Sequence, residues 1–181
     1  LRRLVTLAGS RTGVPVSVSM DQLLKSAAAE FGRTNPAARI RIEEQHCEAV
    51  RCNPDELMQV LRYIVENALE SGIGPKDEIL IRGDIYDRYY RIRIRDEGMG
   101  IDAPNLKKVY DPFFSTKADH DGLGLYFSRM LVERNAGSME VSSKLGVGTT
   151  ATILLPREDR DRDRQGEPAE TPPEEGLTKP S

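Results

Sequence analysis

The sequence has only two cysteines and two histidines among its 181 residues, and nowhere an apolar run long enough to cross a membrane as a helix. Cys47 and Cys52 cannot build a disulfide framework, so a reducing, cytoplasmic compartment is expected. With His46 they lack the paired Cys-x-x-Cys or His-x-x-x-His spacing of a zinc site and read as strand or core cysteines. No Gly-x-x-x-x-Gly-Lys-Ser/Thr loop occurs, which excludes a P-loop enzyme. A net charge of -3 gives no electrostatic footprint for nucleic acid. Internal repeats are absent, and no charged-then-apolar leader opens the chain. Because it starts at Leu1 rather than Met, the chain is expected to be a piece of something longer.

What charge imbalance there is lies at one end. Residues 157–181 hold eight acidic and five basic residues, with Pro168, Pro172, Pro173 and Pro180, no aromatic residue and only Leu177 as a large apolar one. Such a composition cannot bury enough surface to offset its ordering entropy, and 157–181 is expected to be a disordered tail. The alternating signs of 157–164 read as a solvated linker rather than a binding patch. Residues 1–156 then carry acidic and basic residues in equal number. Within them, 1–16 reads as the remnant of an upstream helix plus a linker, and 17–156 as one domain with a proper core.

Residues 21–32 are rich in helix formers and stop at a glycine. The Val/Ile-containing runs 39–44 and 48–52 suggest a strand pair. The strongest periodic signal follows: Leu57, Val60, Leu61, Ile64, Val65, Ala68 and Leu69 recur at helical spacing behind an Asn53-Pro54 start. Strands are expected over 77–85 and 89–96, the second with Ile92 and Ile94 on one face and Arg91, Arg93 and Arg95 on the other. A turn-rich segment runs from Asp96 to Asp121. A helix then opens at Gly122–Gly124, and 139–143 with 149–155 form a closing hairpin. Helices interleaved with hairpin-connected strands predict an α/β two-layer sandwich, its mixed, mostly antiparallel sheet covered on one face by helices.

Four segments put glycine or polar residues where a plain core would not. Asn67 lies about 100° from the centre of its helix's apolar stripe, on the flank of Tyr63 and Glu70. Taken alone, it reads as a surface amide. Asp96-Glu97-Gly98-Met99-Gly100 follows a strand directly, which suits a carboxylate acceptor beside bare backbone that a ligand can approach, although Asp-x-Gly is also a common turn. Gly122-Leu123-Gly124 opens a helix whose unpaired N–H groups and positive dipole end suit phosphate. Gly146-Val147-Gly148-Thr149 alone is an ordinary hairpin turn.

In this order, with Asp111-Pro112-Phe113-Phe114-Ser115-Thr116-Lys117 between the second and third, these segments resemble the N, G1, F, G2 and G3 boxes of the histidine-kinase catalytic and ATP-binding domain of the GHKL ATPase superfamily, over about residues 54–155. The resemblance implies a Bergerat-type fold with a flexible ATP lid between Gly100 and Gly122, ATP as ligand, and Mg²⁺ bridging its phosphates. By the same resemblance Asn67 would be the magnesium ligand and Asp96 would accept from the adenine amino group. Gly98 and Gly100 would let the nucleotide lie close to the chain. Phe113 and Phe114 would anchor the lid base, Thr116 would lie among the ATP contacts and Lys117 would reach the phosphates. Gly122, Leu123 and Gly124 would present N–H groups to them, and Thr149 would lie behind the adenine.

The sequence departs from that pattern in places. Tyr63 stands where ATP-hydrolysing relatives carry a glutamate general base, and a phenol titrating near 10 is a poor base at neutral pH. Glu70 stands at a position often held by lysine, and His120 where the G2 box usually opens with glycine. Neither His46 nor His120 has the context of a phosphoacceptor. The resemblance therefore implies a sensor-kinase catalytic domain whose acceptor histidine and dimerisation helices lie outside this chain. Its expected partners are those helices, in a homodimer, and a response regulator, with no nucleic acid and no membrane contact by this segment. A serine kinase of the anti-sigma-factor type and a non-catalytic nucleotide-sensing module remain the alternatives.

Overall fold

The computed structural model describes residues 13–44, 48–72, 78–117 and 120–157. Their elements run in the order β1 (Val16–Ser19), α1 (Met20–Thr34), β2 (Arg39–Glu44), β3 (Ala49–Cys52), α2 (Pro54–Leu69), β4 (Glu78–Tyr86), β5 (Tyr89–Arg95), a single turn α3 (Ala103–Leu106), α4 (Gly124–Arg134), β6 (Ser138–Lys144) and β7 (Gly148–Pro156). Five strands form one sheet in the order β2-β4-β5-β7-β6, parallel only between β2 and β4. β1 and β3 make a separate antiparallel pair. The expected two-layer sandwich is observed.

Period-two alternation divides the sheet into a core face and an open face. Ile79, Ile81, Tyr90, Ile92, Ile94, Ala151, Ile153 and Leu155 are buried beneath the helices. α1 contributes Met20, Leu23, Leu24, Ala27 and Phe31, and α2 its whole expected apolar stripe except Leu69, which packs at the margin. Tyr90 is the largest fully buried side chain, and it fits because Gly83 on the neighbouring strand leaves its hydroxyl the space a Cβ would take.

Both runs 39–44 and 49–52 are strands, but they do not pair with each other. β2 lies parallel to β4 at one edge of the main sheet, while β3 pairs with β1, a short strand at the start of the domain for which no strand was expected. The Asn53-Pro54 start behaves as read: the Asn53 carboxamide oxygen accepts from the N–H groups of Asp55 (3.1 Å) and Glu56 (3.3 Å). Its amide also donates to the Gly13 carbonyl (3.3 Å), and its backbone N–H donates to Asn135 Oδ1 (2.7 Å) at the end of α4. Buried Glu56 accepts from Asn135 (2.9 Å) and pairs with Arg134 (2.8 Å). One polar network thus joins the entering chain to the two helices that flank the site.

The expected boundaries shift slightly. Val16 belongs to β1, and Arg157 bridges to Val50, so both are part of the folded body. Residues 1–12 and 158–181, the bulk of the expected helix remnant and tail, lie outside the described residues, as do His46 and Cys47.

On the open face Asp84 is buried under Arg91, which grips it with two hydrogen bonds (2.7 and 2.9 Å), and Arg93 (2.7 Å). Burial alone would raise the Asp84 carboxyl, but these guanidiniums outweigh it and hold the group below the ordinary carboxylate range. A depressed carboxylate contributes stability that is present above its unfolded value, near 3.9, and is lost as pH falls through the folded one. Asp84→Asn is therefore expected to cost about 1–2 kcal/mol at pH 7, moderated because the arginines are partly exposed, and to flatten the acid limb of stability against pH. Denaturant titrations between pH 3 and 7 check this.

Candidate functional site

The second half of α2, the β5–α3 connection, the start of α4 and the G3 turn converge on one cleft of about 920 Å³, counted to its open mouth. Of the residues singled out in the sequence, the structure brings Asn67, Asp96, Gly100, Thr116, Lys117, Gly122, Gly124 and Thr149 to its walls. These residues span 82 positions of chain, and only the fold gathers them.

Asp96 forms the inner end of the cleft. It is 6% exposed, and all its described hydrogen bonds fall on one oxygen: Oδ1 accepts from Gly98 N–H (2.9 Å), Thr149 N–H (3.3 Å) and the Ser71 hydroxyl (3.3 Å). Oδ2 is thereby left for a ligand donor. Burial pushes the Asp96 carboxyl above the ordinary carboxylate range, against those bonds and the field of Lys117. Gly98 does not line the cleft. It packs on Ser71, where a Cβ would collide with the hydroxyl, and its N–H fixes Asp96.

At the other end α4 starts with no side-chain cap, and its first intrahelical bond from this end is Phe127 N–H to Leu123 C=O. The N–H groups of Gly124, Leu125 and Tyr126 therefore have no intrahelical acceptor, which makes an anion-attracting helix start. Asn67 lies directly across: its Nδ2 is 3.7 Å from where a Cβ on Gly124 would sit. Lys117 and His120 also line the cleft, and both rest on Glu70, with Lys117 Nζ at 3.2 Å and His120 Nε2 at 2.7 Å. The His120 Nδ1 is buried without a protein partner.

Besides Gly98, two expected contacts lie elsewhere. Phe113 is 73% exposed and does not line the cleft; it adopts a left-handed backbone (φ 67°) that turns its ring outward, and Phe114 lines the wall instead. Leu123 is buried beside Tyr63 and Phe127, whose rings stack with centroids 6.5 Å apart. Only its backbone can face a ligand. Tyr63, read as a replaced base, is a 3% exposed packing residue that seats the start of α4 against α2.

Sequence reasoning missed Ser71, Met99, Ile101, Asn105, Val109 and Leu125, all of which line the cleft. The Asp102-Ala103-Pro104-Asn105 signature was available as a signal: Asp102 caps α3 by accepting from Asn105 N–H (2.8 Å).

The donor set fits a magnesium-bound nucleoside triphosphate: a buried acceptor for the base, an open helix start for phosphates, and one neutral amide beside it. No group of three or more His, Cys, Asp or Glu able to hold a metal occurs among the described residues. Mg²⁺ bound between one protein oxygen and phosphates needs no such cage.

Fold and cleft together define a two-layer nucleotide-binding sandwich of the Bergerat type. The chain belongs to the histidine kinase-, DNA gyrase B-, and HSP90-like ATPase family, whose model matches residues 52–159. Among curated relatives, the sensor histidine kinase ZraS of Escherichia coli K12 is 35% identical over 117 residues, 65% of this chain and 25% of ZraS. The signal transduction histidine-protein kinase AtoS of the same organism is 36% identical over 143 residues, 77% of this chain and 23% of AtoS. The chain thus spans about a quarter of the length of these relatives. Among solved structures, the mycobacterial sensor histidine kinase MprB superposes with a TM-score of 0.71 over 80% of this chain and 98% of that one, at 21% identity. The catalytic domain of histidine kinase ThkA in a nucleotide-free form also gives 0.71, over 79% and 95%, at 22% identity. Both share the fold.

Proposed function

We propose that this chain is the ATP-binding catalytic domain of a two-component sensor histidine kinase, cytoplasmic and working in a homodimer on a response regulator. It would transfer the γ-phosphoryl of Mg-ATP to a histidine on a dimerisation helix outside this chain. The family, the sensor-kinase relatives and the donor set of the cleft support this reading. The observation that carries it is buried Tyr63, one helical turn before Asn67. It packs in a cluster with Leu123 and Phe127 at the sequence position where, by the family resemblance, hydrolysing relatives carry a base, so the site favours transfer over hydrolysis.

In this reading Asp96 Oδ2 accepts from the adenine amino group and excludes guanine, whose corresponding oxygen would meet a carboxylate. The N–H groups of Gly124, Leu125 and Tyr126 take up charge on the phosphate oxygens, and Asn67 Oδ1 would hold the metal. Magnesium, when bound, neutralises phosphate charge as the transferred group loosens. The imidazole nitrogen that receives the phosphoryl, and whatever takes its proton, come from the acceptor helix. The described helices include none long and apolar enough to span a membrane.

The reading is tested by mixing the 181-residue chain with the acceptor-helix segment of its parent protein and γ-labelled Mg-ATP. An acid-labile phosphoimidazole on the acceptor is expected. An acid-stable phosphoserine would move the chain to the anti-sigma-factor type of kinase, and ATP binding without transfer in a longer chain would leave a nucleotide-sensing module.

A further inference from the structure

Glu70 is an acidic residue beside the phosphate end of the cleft, and its position is electrostatically costly. It caps the C-terminus of α2, where the helix dipole is negative and cations, not carboxylates, are favoured. Both its oxygens are occupied: Oε2 by Lys117 Nζ at 3.2 Å, Oε1 by His120 Nε2 at 2.7 Å. Burial opposes the charge, yet the hydrogen bonds from His120 and Lys117 hold the Glu70 carboxyl below the ordinary range. Lys117 and His120 line the cleft while Glu70 stands behind them, three residues on from Asn67.

We propose that Glu70 is a positioning residue that acts as a stand-in for phosphate. In the empty site it holds the ammonium of Lys117, with the His120 ring beside it, at the cleft wall. A bound triphosphate then draws Lys117 from the carboxylate. The same ammonium cannot be fully paired with both anions at one distance, so the two compete, and Glu70 weakens triphosphate binding in return for a prepositioned cation. No bond is made or broken; one ion pair is exchanged for another. The exchange is read chiefly on the triphosphate, because Glu70 pairs with Lys117 and His120 whereas Asp96 is held by Gly98, Thr149 and Ser71.

This inference rests on the nucleotide reading of the cleft. Its test uses the full chain and calorimetry with Mg-ATP and with adenosine, on the wild type, Glu70→Gln, Lys117→Ala and the double variant. Glu70→Gln is expected to tighten Mg-ATP about 3- to 10-fold and to leave adenosine within about twofold, which corresponds to roughly 0.7–1.4 kcal/mol. In the Lys117→Ala background the same substitution should change Mg-ATP affinity less than about twofold. Equal tightening in both backgrounds would show simple charge repulsion and overturn the exchange, as would weaker Mg-ATP binding by Glu70→Gln or a matching shift for adenosine. A ligand-free readout separates the two readings: in the empty wild type, amide hydrogen exchange over 113–117 should be slower than in Glu70→Gln by about fivefold or more. Equal exchange sinks the positioning role. A wild type that binds neither ligand sinks the nucleotide reading instead.

Discussion

Replacing Asp96 with asparagine is expected to weaken ATP binding about 10- to 100-fold while leaving the empty domain at least as stable. The swap is nearly isosteric, and the asparagine oxygen can still accept from Gly98, Thr149 and Ser71, which all converge on Oδ1. The atom that changes is the one left for a ligand. An acceptor becomes an N–H donor facing the adenine amino group, and a buried donor without an acceptor costs about 1–3 kcal/mol. Stability moves the other way. Burial lifts the Asp96 carboxyl above its ordinary range, so its ionised form penalises the folded state at neutral pH, and the penalty is relieved as pH falls through the raised value. Asparagine carries no such penalty. Isothermal calorimetry and thermal melts of the ligand-free variant check both halves. In the wild type, ATP affinity should also fall on acidification at a pH above the ordinary aspartate value near 3.9, a dependence absent in the variant. Undiminished ATP affinity in Asp96→Asn would remove this carboxylate from the site.

The second large effect separates two glycines only two residues apart. Gly122 has φ +63°, and a Cβ there would lie 2.5 Å from the Phe113 carbonyl carbon and the Phe114 oxygen. Backbone blocks it, so no rotamer change relieves the clash. Gly122→Ala is expected to displace the 113–122 segment and abolish measurable ATP binding, with a loss of about 2–4 kcal/mol from strain and overpacking. At Gly124 an added methyl meets Asn67 Nδ2 at 3.7 Å and Tyr63 carbons at 3.8 Å, which are ordinary contacts. Gly124→Ala should therefore melt within about 2 °C of wild type, yet weaken ATP roughly tenfold or more, because the methyl occupies space beside the N–H groups a phosphate must reach. If both variants melt and bind alike, the geometry of the helix start is wrong.

Much of this molecule was legible in its sequence where physics is local. The Asn53-Pro54 start and the period of 3.6 from Leu57 to Ala68 specify α2, and alternation along 89–95 specifies β5 together with its core face. The order of the glycine-containing segments sufficed to identify the family. What was not legible depends on partners distant in the chain. Nothing local says that β2 pairs with β4 and β3 with β1, because both choices satisfy the same alternation. Tyr63 read as a chemical substitution, since burial by Leu123 and Phe127 cannot be seen from a position on a helix wheel. Phe113 and Phe114 are neighbours of one type, and only the positive φ of Phe113 decides which of them faces the cleft. The contact of Glu70 with Lys117 and His120 joins groups 47 and 50 residues apart, and no periodicity announces it.

The hydrogen bond from Asn53 to the Gly13 carbonyl gives α2 the character of a lever. Its 16 residues, at about 1.5 Å each, make a strut about 24 Å long. One end is fastened to the backbone of the entering chain, and through Asn135 to the foot of α4. The other end carries Asn67 and Glu70. A close-packed core has low compressibility and transmits strain, so a displacement of the chain at residue 13 is expected to reach the rim of the cleft through α2.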